Sequence, residues 1–226
     1  MIFFTDIQTN ISNFCLLNIK QINNIRLKKK FIYMIDPSVY ELKDKPEYSK
    51  INELHEIAMS NQHLISIDYP NDMNPIYSDI FIEKSIKNNL LYRFNEKYIC
   101  TIQFKFQDIV DFIKQFEYLE DLIDFSTKII GIGNLCRILR PNEFTDKVFT
   151  YLMKKPYYFH FYGLGLALIK KYLPYFPNCS MDSTKFTKAV NTKFKKENGV
   201  CCRKHNRDKY FLAYMNEISK FVNVIY

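Results

Sequence analysis

The chain has 226 residues and a net charge of +8, from 32 Lys and Arg against 24 Asp and Glu. With 47% hydrophobic and 16% aromatic residues it can bury a sizeable core, which excludes a disordered, collagen-like or small disulfide-stapled chain. The length suits a single domain over 1–226 with a basic C-terminal segment at 185–226, and no apolar run approaches the roughly 20 residues that cross a bilayer.

Short apolar, β-branched or aromatic runs recur at 2–5, 31–35, 64–67, 98–102, 129–132, 157–162, 178–181 and 222–226, each the length of a buried strand. Helical spacing fills several of the intervals. The stretch 48–60 carries Ile51, Leu54, His55 and Ala58 on one face, and 107–118 carries Ile109, Val110, Ile113 and Phe116. The stretch 142–154 carries Phe144, Val148, Phe149 and Leu152, and 164–175 carries Leu166, Ile169, Tyr172 and Leu173. Strands alternating with helices predict a parallel sheet, because a parallel connection needs a crossover that a helix supplies. Up to eight strands predict an α/β fold of the compact (β/α)8 TIM-barrel type, with a doubly wound open sheet as the rival.

The apolar runs end in polar residues or glycine. Asp36 follows the second, Asp68 the third, Gln103 the fourth; Gly131 and Gly133 mark the fifth, His160 and the pair Gly163 and Gly165 the sixth, and Asp182 the seventh. The marks recur about every 30 residues, one strand–helix unit apiece. In parallel α/β folds the C-terminal strand ends converge on one cleft, so these groups are expected to face one another. Asp and Gly after a strand also make ordinary turns, but turns do not account for Gln103 or His160. The sequence contains no phosphate-cradling Gly-x-x-x-x-Gly-Lys loop, no Gly-x-Gly-x-x-Gly helix start and no Gly-x-Ser-x-Gly elbow. Paired carboxylates remain. One can attack an anomeric carbon while another moves protons, and a further carboxylate with a carboxamide suits the edge of a purine-like base.

The ordered series Met34-Ile-Asp-Pro-Ser-Val-Tyr40, Ile65-Ser-Ile-Asp68, Thr101-Ile-Gln103, Gly131-Ile-Gly-Asn-Leu-Cys-Arg137, His160-Phe-Tyr-Gly-Leu-Gly165 and Ser180-Met-Asp-Ser183 resembles the tRNA-guanine transglycosylase superfamily. It is most similar to the phage and bacterial branch that places 7-deazaguanines in DNA, over about residues 31–214. The resemblance implies Asp182 as nucleophile, Asp36 as general acid/base, Asp68 and Gln103 as base-recognition residues, and Gly131, Gly133 and Gly163 as base-site glycines. It implies exchange of guanine in DNA for a base such as 7-cyano-7-deazaguanine. The alternatives are the same chemistry on tRNA, a nucleoside-level deoxyribosyltransferase, and a non-catalytic nucleic-acid-binding barrel. The family's Asp-Ser-Gly-Gly-Tyr motif reads Asp36-Pro37-Ser38-Val39-Tyr40 here, without its glycines.

Arg137, Lys185, Lys188 and Arg203 are candidate contacts to a nucleic-acid backbone, since neutralising phosphates requires Lys and Arg. Family members often hold zinc on three cysteines and a histidine. Cys201, Cys202 and His205 occupy the corresponding region, but adjacent cysteines do not match usual zinc spacing, so no metal and no cofactor is expected. The six cysteines are mostly scattered and Met1–Asp6 lacks the features of a signal peptide, so free thiols and a cytoplasmic location are expected.

Overall fold

The computed structural model describes residues 1–4, 14–18, 32–36, 64–65, 78–182 and 207–225. Its eight strands are β1 (Ile2–Phe4), β2 (Phe14–Asn18), β3 (Ile32–Asp36), β4 (Leu64–Ile65), β5 (Cys100–Ile102), β6 (Ile129–Ile132), β7 (Tyr158–Phe161) and β8 (Cys179–Asp182). Among the described residues the α-helices are α1 (Ser78–Leu91), α2 (Ile109–Leu122), α3 (Glu143–Leu152), α4 (Leu166–Tyr172) and α5 (Arg207–Ser219).

All strand pairings are parallel, as expected for strands joined by helical crossovers. One sheet has the order β1-β8-β7-β6-β5 and the other β2-β3-β4, and β1 lies beside β2. The protein is therefore an α/β fold built on parallel sheets.

Strand alternation divides the core in two. On the helix-covered face, Ile130 and Ile132 of β6 and Phe159 and Phe161 of β7 pack against α2, α3 and α4 through rings such as Phe112, Phe116 and Phe149. Phe149 stacks on Tyr172 at 4.1 Å with planes 5° apart, tying α3 to α4. On the opposite face Met34 and Ile99 meet, with Ile2, Phe14 and Ile129 against them, so this second cluster draws on both sheets.

Local signals explain the helix starts. Asp108 caps α2 by accepting from Asp111 N–H. At α3, Asn142 and Thr145 form a reciprocal capping box, and the Thr145 hydroxyl also meets the Tyr172 hydroxyl at 2.8 Å. Asn142→Ala is expected to cost about 1 kcal/mol in a thermal or urea melt, the usual value of a lost N-cap.

Three expectations about the elements change. The stretch 222–226 is not a paired strand: Ile225 alone bridges Ile2, and the first-sheet edge is completed by β1. The additional strand is Phe14–Asn18, paired along its whole length with β3. The last part of the basic segment, 207–219, is a structural helix whose Phe211, Met215 and Ile218 enter the main core at helical spacing. Glu217 anchors it to Lys170 of α4 at 2.6 Å. The expected helix 48–60 lies outside the described residues, as does the whole of 183–206. Among the described residues no helix is long and apolar enough to cross a membrane.

Candidate active site

The C-terminal ends of β5 to β8 place polar residues in two layers on the face opposite the helices. Register aligns Thr101 with Gly131, Gly131 with His160, His160 with Ser180, and Ser180 with Ile2. Two residues further along each strand, on the same pleat face, come Gln103, Gly133, Tyr162 and Asp182. Of the sequence candidates, Gln103, Gly131, Gly133, Gly163 and Asp182 are thus gathered at adjacent strand ends.

Asp182 closes β8. Its Oδ1 accepts a 2.9 Å hydrogen bond from Gly163 N–H and lies 3.4 Å from His160 Nε2. Among the described residues nothing bonds Oδ2. The side chain is 13% exposed, whereas His160 is fully buried. Gly163 can present its N–H because it adopts φ +59°, the left-handed region, and an added Cβ would fall 2.7 Å from Cys136 Cβ.

Below the carboxylate, His160 Nδ1 meets Ser180 Oγ at 2.9 Å, and Tyr158 lies two residues before His160 on the same pleat face. Burial pushes the Tyr158 hydroxyl above its ordinary pKa, so it stays a neutral donor at physiological pH. Serine, histidine and aspartate in sequence of contact invite comparison with a hydrolase triad, but burial runs the wrong way. Ser180 is 2% exposed beneath the imidazole, and the carboxylate is the outward member. The chain of contacts serves the carboxylate.

The glycines of β6 make room for neighbouring side chains. A Cβ at Gly131 would sit 2.6 Å from the Tyr162 hydroxyl oxygen, and one at Gly133 would overlap the Gln103 carboxamide. Tyr162 is therefore laid across β6, its hydroxyl 2.9 Å from Thr101 Oγ1. Gln103 lies beside it one layer up, only 3% exposed.

Asp36 ends β3, paired in register with Asn18 of β2. Arg137 is exposed on the loop after β6, with its guanidinium 5.9 Å from the Phe106 ring centroid. Asp68, Lys185, Lys188 and Arg203 lie outside the described residues, as do Cys201, Cys202 and His205. No group of three or more His, Cys, Asp or Glu suited to a metal occurs among the described residues. Cys100, Cys136 and Cys179 are free thiols, and burial pushes Cys179 up to about 12, far from reactive thiolate.

Sequence reasoning singled out His160 without a role and passed over Ser180, Tyr162 and Thr101. The available signal was parity: Thr101 and Ser180 each lie two residues before a predicted site residue, Gln103 and Asp182, and Tyr162 lies two after His160. Comparison with protein-family models, curated proteins and solved structures finds no match to this chain.

Proposed function

We propose that the protein is a DNA-guanine transglycosylase, a pentosyltransferase that exchanges guanine in DNA for a 7-deazaguanine base through a covalent aspartyl-glycosyl intermediate. The observation that carries this reading is Asp182: a largely buried carboxylate at a strand end, held by one oxygen and unbonded at the other among the described residues. A carboxylate so fixed is prepared to attack carbon.

In this reading the strands form a compact (β/α)8 barrel. Support comes from the sequential order of neighbours, β5 through β8 to β1 and β2 through β4, with β1 beside β2. The cluster of Met34, Ile99, Ile2, Phe14 and Ile129 would then be the barrel interior.

Asp182 Oδ2 attacks C1′ of a deoxyguanosine, the C1′–N9 bond breaks, and guanine departs with a proton from a general acid. The resemblance gives that role to Asp36. The incoming base then loses its N9 proton to the same group, forms a new C1′–N9 bond and releases the carboxylate. Two inversions return the original configuration. The target nucleotide must leave the base stack or be single-stranded, because C1′ attack needs access from the side opposite the base. Gln103 presents a carboxamide, donor and acceptor together, which suits a guanine-like edge.

The test is incubation with labelled guanine or 7-cyano-7-deazaguanine and either duplex DNA, single-stranded DNA or tRNA. Label is expected in DNA. Label in tRNA alone would reassign the polymer, and label in none would overturn the reading. Gly133→Ala is expected to push the Gln103 carboxamide aside and raise KM for the incoming base about tenfold, the worth of one hydrogen bond, with kcat little changed.

A further inference from the structure

The contacts beneath Asp182 have a direction. His160 Nε2 lies 3.4 Å from Asp182 Oδ1 without the alignment of a hydrogen bond, and because an ionised carboxylate repels a bare ring nitrogen, the proton of the neutral ring belongs on Nε2. In the neutral ring Nδ1 is then an acceptor, and Ser180, 2.9 Å away, donates to it. Ser180 thus fixes the ring with its Nε2 face toward Oδ1, which also receives Gly163 N–H. At 3.4 Å the imidazole contact is longer than a full hydrogen bond, as catalytic contacts often are before substrate binds.

We propose that His160, oriented by Ser180, is a positioning and charge-stabilising residue for the return of Asp182 to a free carboxylate. The proposal rests on the reading of Asp182 as the group that bonds C1′. When Oδ2 attacks the sugar, the carboxylate's charge is consumed and the two donors on Oδ1 lose part of their attraction. When the incoming base displaces Asp182, the C1′–Oδ2 bond breaks, its electron pair returns to the carboxylate, and the donors meet a growing negative charge. The new C1′–N9 bond forms as the N9 proton passes to the general base. Donors fixed in advance stabilise that developing charge without reorganising. They therefore favour free carboxylate over sugar ester, and they accelerate resolution of the intermediate at the expense of its formation.

A scaffold role would make different demands. A residue needed only for folding lowers formation and resolution together, whereas the proposed role separates them. Ser180→Ala leaves the backbone of β8 and the imidazole in place but removes the donor that fixes the ring tautomer. Turnover is expected to fall about tenfold, less than loss of a direct charge-stabilising donor. In the same variant the fraction of protein trapped as a covalent DNA adduct on a denaturing gel rises.

The tautomer is read independently of activity by long-range proton–nitrogen correlation on protein carrying 15N-histidine, with His160→Gln assigning the signal. Hydrogen on Nε2 in the wild type, becoming a mixture in Ser180→Ala, together with adduct accumulation, supports the proposal. Hydrogen on Nδ1 in the wild type overturns it whatever the activity, because such a neutral ring has no proton to offer Asp182. Adduct that falls in step with turnover also overturns it. Absence of adduct in the wild type, with the expected tautomer present, refutes the role assigned to Asp182 and takes the proposal with it.

Discussion

Asp182→Asn is expected to lower base exchange by about 10⁴-fold or more and to abolish the covalent DNA adduct, as loss of a nucleophile does when no other group can replace it. The substitution preserves shape. An Asn oxygen can still accept from Gly163 N–H, so the turn at φ +59° keeps its partner. What is lost is the negative charge and the lone pair that attacks C1′. Stability is expected to stay level or rise slightly, since a carboxylate only 13% exposed carries a desolvation cost that a neutral amide lacks. Unchanged melting with lost exchange separates the chemical role from a structural one. Retained exchange in this variant would refute the proposed mechanism.

The fold around this residue was largely legible where apolar runs were strict and their ends sharply marked. β5 to β8 fall within the expected runs, and α2, α3 and α4 within or close to the expected helices, because phenylalanine and isoleucine repeat at helical spacing between strand ends. The failures have physical causes. Phe14-Cys-Leu-Leu-Asn18 has no alternation, and an unbroken apolar run of that length does not distinguish strand from helix. In α1 the buried stripe passes through Ser85 and Asn89, which weakens its periodicity. In α5 the surrounding charge hides Phe211, Met215 and Ile218.

The site divides in the same way. Gln103, Gly133 and Asp182 were visible because they interrupt apolar runs at their ends. The His160–Ser180 contact was not, since those residues are far apart in sequence and meet only through the register of β7 against β8. The occupant of the space above Gly131 was equally hidden: Tyr162 comes from the neighbouring strand.

Register also makes β5 depend on a residue that no site motif contains. Among the described residues no strand pairs with β5 on the side away from β6, and Thr101 turns its backbone N–H and C=O to that side. Asn89 of α1 meets both: its Nδ2 donates to Thr101 O at 2.8 Å and its Oδ1 accepts from Thr101 N–H at 3.1 Å. The Tyr98 hydroxyl donates to the same Oδ1 at 2.8 Å. One buried carboxamide thus meets both groups as the backbone of a neighbouring strand would. Asn89→Ala would take the partner from the buried N–H and C=O of Thr101, and the expected loss is on the order of 3–5 kcal/mol. For a chain of this size that lowers the melting temperature by roughly 6–20 °C. Asn89→Asp is expected to fare little better, because a carboxylate oxygen would then face the Thr101 carbonyl. The damage should reach the site, since Thr101 holds Tyr162 and leads directly to Gln103. At a temperature where the variant remains folded, KM for the incoming base is expected to rise while adduct formation at Asp182, three strands away, persists. A melting temperature within a degree of wild type would show that the edge of β5 is satisfied in some other way.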